Sequence, residues 1–143
     1  KRNIQFIFFS CMEVTKRFVN QLAYKIVGCA IEVHKELGPG LLESVYEVIL
    51  AYELEKKGLI VQRQVPINII YEGIQFDEAF RADLLVNDMV LVELKSIELI
   101  NNAHRKQLQT YLKLSGKKLG YLLNFGAPLM KEGIVRASSA AAS

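Results

Sequence analysis

Apolar residues recur at Leu22, Ile26, Ala30, Val33 and Leu37, the three-and-four spacing of one helical face, and predict a helix over residues 20–36. The run Leu37-Gly38-Pro39-Gly40 ends it, since a proline and two glycines do not continue a helix. A second helix is predicted over 41–57, with Leu42, Val45, Ile49 and Tyr52 on one stripe and Gly58 as its C-terminal cap. Beyond Gly58 the period drops from helical to alternating. Val61, Arg63, Val65, Ile67, Ile69 and Tyr71 take one face of a strand, and Gln62, Gln64 and Asn68 take the other. Glu72-Gly73 is a turn, and two further strands follow over 76–86 and 89–96, joined at Asn87-Asp88. A third helix over 101–115 and a strand over 119–125 complete the series. The order predicts one α/β domain with a mixed central sheet flanked by helices.

Composition narrows the class. A chain of 143 residues, 51% apolar and 23% charged, holds one domain with a real core, and excludes a disordered, collagen-like or coiled-coil protein. No apolar run reaches the ~18 residues of a bilayer span, so no membrane partner is expected. The formal charge of +3 points only faintly to an anionic partner, because Lys1 and Arg2 supply two of the excess charges. Residues 1–19 are expected to form an N-terminal extension. Their basic start and apolar run imitate a short signal peptide, but lack a small-x-small cleavage site. Residues 137–143, rich in Ala and Ser, read as a flexible tail, leaving 20–136 as the domain. Cys11 and Cys29 have no second thiol or His at ligand spacing. Free thiols in a reducing, cytoplasmic compartment are expected, without a zinc site.

The strands around Asn87-Asp88 carry the chemistry. Ala82, Leu84 and Val86 alternate with Arg81, Asp83 and Leu85; Val90, Val92 and Leu94 alternate with Leu91, Glu93 and Lys95. Each strand thus has one wholly apolar face and one bearing charges among leucines, where burial is costly unless the charges pair or hold a metal. Register decides whether they meet. A two-residue loop sets Asp83 against Val92; a three-residue loop pairs Val86 with Val90 and sets Asp83 across from Glu93. Two carboxylates at cross-strand distance suit a hard divalent ion, and Lys95 on the same face could stabilise an anionic transition state or help activate water. The competing reading, a salt bridge between Lys95 and its acidic neighbours at the sheet edge, is the commoner outcome for such spacing alone.

These residues also resemble a known pattern. Arg81-Ala-Asp83-Leu-Leu-Val86 followed by Val92-Glu93-Leu94-Lys95 resembles the split motif of the PD-(D/E)XK nuclease superfamily, with Ala82 in place of the nominal proline. Gln107-Leu-Gln-Thr-Tyr111 resembles the Gln-x-x-x-Tyr motif of its RecB-like branch. Gly40-Leu-Leu-Glu43-Ser-Val-Tyr46, with Gly28 to His34, Leu37 to Gly40 and Asn124-Phe125-Gly126, is similar to the signature of the small GxxExxY family. The resemblance implies a restriction-endonuclease-like core and a Mg²⁺-dependent nuclease, with Mn²⁺ as a substitute. Asp83 and Glu93 would then bind the ion, with the Leu94 carbonyl and Glu43 as further ligands. Lys95 would position or deprotonate water, and Gln107 and Tyr111 would orient the site. The substrate would be nucleic acid, DNA ahead of RNA; with no added recognition domain, specificity would come from loops, a homodimer or a partner protein. The alternative is an inactive nucleic-acid- or protein-binding module of the same fold.

Other residues have plainer expectations. Tyr46 is expected to pack with a polar handle, and His34 and His104 to lie at the surface or cap helices. Arg81 is balanced between a carboxylate partner and substrate phosphate. Arg105 and Lys106, followed by Lys113, Lys117 and Lys118, could track a phosphate backbone or simply form a solvated face. Gly120 and Gly126 read as backbone accommodations.

Overall fold

The computed structural model describes the backbone of residues 4–139 and the side chains of 15–139. Its elements are α1 (Ile4–Leu37), α2 (Glu43–Lys56), β1 (Val61–Tyr71), β2 (Ile74–Val86), β3 (Val90–Lys95), α3 (Asn102–Ser115), β4 (Leu119–Asn124) and β5 (Ile134–Ser138), with a 3-10 turn at Met130–Gly133. The sheet order is β1-β2-β3-β4-β5. β3 and β4 are parallel and joined through α3, while the other neighbours are antiparallel. This is the expected mixed sheet flanked by helices.

Both ends depart from the sequence reading. α1 starts at Ile4, not near Asn20, because residues 4–19 contain no Gly or Pro to interrupt it. At the other end Ala137 and Ser138 belong to β5 instead of a tail. Ala137 is buried, and β5 pairs with β4 from Leu123↔Ile134 to Leu119↔Ser138. Five residues that include Arg136, Ala137 and Ser138 carry too little apolar alternation to announce a strand. Residues 1–3, residues 140–143 and the Cys11 side chain lie outside what the structure describes. Cys29 is a free, buried thiol on the packed side of α1. No helix of the described residues is long and apolar enough to cross a membrane.

The sheet is packed on both faces. On one, α1 and α2 cover Leu84, Val86, Val90, Val92, Leu94, Tyr121 and Leu123. On the other, Leu108 and Leu112 of α3 cover Ala82, Leu91 and Leu122. Gly120 permits this approach, since a Cβ there would sit 2.9 Å from Leu112 Cδ2. The phase of α2 differs from the predicted one. Its buried stripe is Tyr46, Glu47, Leu50, Ala51 and Leu54, while Leu42, Val45 and Tyr52 are exposed. The helix is apolar on nearly every side, so periodicity alone did not select the inward face.

The hairpin β1–β2 also breaks the predicted alternation. Val61, Leu84 and Val86 pack toward α1 and α2, whereas Val65, Ile67, Phe80 and Ala82 pack toward α3. Both strands therefore change faces at one level, Gln64 beside Asp83, between the pairs Arg63↔Leu84 and Val65↔Ala82. In β1 the change falls at Gln64, whose φ of +52° is a left-handed conformation within a strand and rotates the residues beyond it.

Candidate active site

The β2–β3 turn settles the register. Val86 pairs with Val90 and Leu84 with Val92, so the loop has three residues, with Asn87 and Asp88 both left-handed as their short polar side chains allow. Asp83 and Glu93 are thereby brought side by side. The Leu94 amide donates to Asp83 Oδ2 at 2.9 Å, and the Asp83 amide donates to Glu93 Oε1 at 3.3 Å. Glu93 is buried at 8% exposure, and its carboxyl is pushed up to about 9. Burial is the largest cause and the neighbouring Asp83 charge the second; the Asp83 amide and Lys95 pull it back only in part. Lys95 is half-buried, and among the described residues it forms no ion pair, so the edge salt bridge is not the arrangement adopted.

A cleft of about 400 Å³ opens beside Asp83, lined by Glu43, Ser44, Glu47, Arg63, Gln64, Asp83 and Leu94. Glu43 begins α2 and is exposed at its rim. Glu47, one turn further on, is the buried acid of the cleft. Its Oε2 accepts from Arg63 Nη2 at 2.9 Å and Nε at 3.2 Å, and its Oε1 accepts from the Gln64 amide. The same Gln64 nitrogen lies 3.3 Å from Asp83 Oδ1. The sequence reading passed over Glu47, Arg63 and Gln64. The available signal was a Glu on the Leu50-Ala51-Leu54 stripe, hidden by choosing the other apolar face of α2.

From the opposite side, α3 contributes Gln107 and Tyr111, one turn apart. The Tyr111 ring stacks on Phe80 with centroids 3.8 Å apart and planes 5° apart. Its hydroxyl is raised above the ordinary tyrosine value by burial and then by the Glu93 and Asp83 charges, while a Gln107 hydrogen bond works the other way. Arg105 and Lys106 are not in this group. With Gln109, Thr110 and β5 they line a separate depression, because on a helix they project about a quarter turn or more away from Gln107 and Tyr111. Arg81 is taken up by Glu78, Nε to Oε1 at 2.6 Å. Lys117 anchors the β2–β3 turn through Asp88, while Lys113 and Lys118 are exposed.

The aromatic and histidine positions serve the framework. Tyr46 is fully buried, stacks on Phe125 at 4.5 Å, donates to the Gly38 carbonyl and accepts from the Leu41 amide at 3.1 Å. His104 completes a capping box with Asn101. His34, expected at the surface, is buried at 6% exposure. Its Nε2 bonds the Ala127 carbonyl at 2.8 Å, because the turn after β4 folds back over α1.

The donor set is a fit for a hard divalent cation. Two carboxylates lie side by side, and burial first and the Asp83 charge second push the Glu93 carboxyl up further than Lys95 offsets, so added positive charge would relieve them. Among the described residues no three His, Cys, Asp or Glu side chains stand together as a metal cage, and Glu43 does not join Asp83 and Glu93 in one. Mg²⁺ does not need such a cage, since it commonly takes one or two carboxylates and fills its octahedron with water and substrate oxygen.

Residues 20–137 match the family model of the PD-(D/E)XK nuclease superfamily. The chain belongs to this superfamily. The five-stranded mixed sheet is consistent with its restriction-endonuclease-like fold, and Asp83 lies on β2 with Glu93 and Lys95 on β3. PD-(D/E)XK nucleases act on nucleic acid and typically use divalent metals, in keeping with the oxygen donors found here. No curated protein and no solved structure matches the chain.

Proposed function

We propose that this PD-(D/E)XK protein is a metal-dependent nuclease that hydrolyses phosphodiester bonds, with Mg²⁺ as its ion, Mn²⁺ as a substitute and DNA ahead of RNA as substrate. We place it in the GxxExxY branch, on the Gly40, Glu43 and Tyr46 pattern, and in the cytoplasm. The observation that carries the reading is the Asp83–Glu93 pair, with Lys95 on the same strand as Glu93, beside a cleft that Asp83 and Leu94 line. Asp83, Glu93 and the Leu94 carbonyl would hold the ion. When bound, it would lower the pKa of water and neutralise charge on the scissile phosphate. Lys95 would hold the attacking water by hydrogen bonding and offset the charge growing on phosphorus. Tyr111 and Gln107 would orient the sugar–phosphate from the α3 side. Glu43, exposed at the rim, is within the same cleft and would act through water.

A second reading, a non-catalytic binding module, draws on the Glu93 carboxyl, which burial and the Asp83 charge push up to about 9. One experiment separates the two. The purified chain is incubated with single- and double-stranded DNA and RNA in Mg²⁺, Mn²⁺ or EDTA, beside the folded variants Asp83→Asn and Lys95→Ala. Metal-dependent cleavage that drops at least about 100-fold in both variants supports the nuclease. Binding without turnover on every substrate, unchanged by either substitution, refutes it.

A further inference from the structure

Successive residues of a β-strand point to opposite faces, yet Arg63 and Gln64 both reach the same carboxylate, that of Glu47. The left-handed backbone at Gln64 makes this possible. A non-glycine residue in that conformation mid-strand is uncommon, and such strain persists where the surrounding structure holds it, often at functional sites. What it achieves here is specific. The Gln64 side chain is turned between Glu47 and Asp83, and its nitrogen faces an oxygen of each. Both neighbours are acceptors, so only the NH₂ end of the amide can point between them.

We infer that Gln64 is a positioning residue of the metal centre, its amide tying Asp83 to Glu47 so that the Asp83 carboxylate is held in its binding orientation. This rests on the reading of Asp83 and Glu93 as metal ligands. The arrangement holds Asp83 from two sides: Oδ2 receives the Leu94 amide and Oδ1 receives Gln64. Glu47 is fixed in turn by the Arg63 guanidinium, which offsets its charge beside Asp83. Groups that orient a metal ligand in this way typically govern affinity by tenfold or more.

The backbone conformation and the amide can be separated by substitution. Gln64→Gly removes the amide but suits a positive φ; Gln64→Ala removes the amide and keeps the backbone strain. Mn²⁺ binding to the full chain is measured by electron paramagnetic resonance of the free ion, and thermal midpoints are measured in EDTA. Both variants are expected to bind Mn²⁺ at least about tenfold more weakly than wild type, while Gln64→Gly melts at or above the Gln64→Ala midpoint. Loss of affinity in Gln64→Gly with its fold intact then follows the amide and not stability. Wild-type affinity in Gln64→Gly overturns the inference and leaves the metal centre standing. If wild type shows no Mn²⁺ binding that Asp83→Asn abolishes, the metal centre itself falls, and the role of Gln64 with it.

Discussion

The buried Glu93 makes the metal-free protein pay in stability for its site, and the size of that effect follows from the structure. Its carboxyl titrates at about 9 when folded, against an ordinary 4.5. Between these values the native state holds a proton that the unfolded chain releases. The native state therefore binds more protons, and stability falls as pH rises. The contribution is fully present below pH 4.5 and is lost progressively up to about 9. One such group gives a slope of about 1.4 kcal/mol per pH unit, or roughly 3 kcal/mol between pH 6 and 8. That is a ceiling, since local relaxation and water entry reduce it. Glu93→Gln preserves shape and cannot ionise in either state. Urea unfolding in EDTA at pH 6, 7 and 8 should show the variant gaining on wild type by an amount approaching that ceiling. Parallel pH curves for the two proteins would show that Glu93 is already ionised in the native state, and would remove the electrostatic argument for a cation at this place.

Three further outcomes are expected. Uptake of Mn²⁺ at pH 7 should expel close to one proton, because Glu93 is protonated beforehand and must ionise to ligate; calorimetry in two buffers of different ionisation enthalpy measures it, and zero release contradicts the assignment. An added Cβ at Gly126 would overlap the Ile97 backbone, whereas at Gly120 it meets only the side chains of Leu112 and Leu108. Gly126→Ala should cost about 3 kcal/mol and Gly120→Ala about 1 kcal/mol, by denaturant titration; the reverse order would show that the backbone after β3 yields more easily than the α3 leucines. Tyr46→Phe removes the hydroxyl that joins Gly38 to Leu41 and should cost about 1–2 kcal/mol, with faster amide exchange at Leu41; unchanged exchange would mean that the turn holds without it.

The elements that the sequence announced were those whose period reflects one buried face. The inner stripe of α1 and the third helix from Asn101 to Ser115 were legible for that reason, while the β2–β3 register was narrowed to two loop lengths that the structure then decided. The pairing shows why a register argument is strong: only a three-residue loop brings Asp83 level with Glu93. Legibility failed where period carries no information. α2 offers two apolar faces, so Glu47 was invisible as a buried acid until the tertiary structure chose between them. The face change at Gln64 is a backbone event at a residue type that does not advertise it; Gly or Asn would have been noticed. β5 is short and mixed in composition and exists through its pairing with β4. Arg105 and Lys106 are close in sequence to Gln107, yet the helical turn sends them to another surface.

The three-strand meander has a consequence for the order of assembly. Gln64, Asp83, Glu93 and Lys95 all lie in β1–β3, a contiguous run joined by two short turns. Their mutual placement requires only local chain closure, which is entropically mild and fast. The parallel pairing of β3 with β4 is different, since it must wait for the α3 crossover to lay Leu108 and Leu112 over Leu91 and Leu122. The carboxylates can therefore be brought together before α3 is in place. Because burial disfavours the charged form of Glu93, alkaline pH is expected to slow the step that buries it, which refolding rates at pH 6 and 8 would measure.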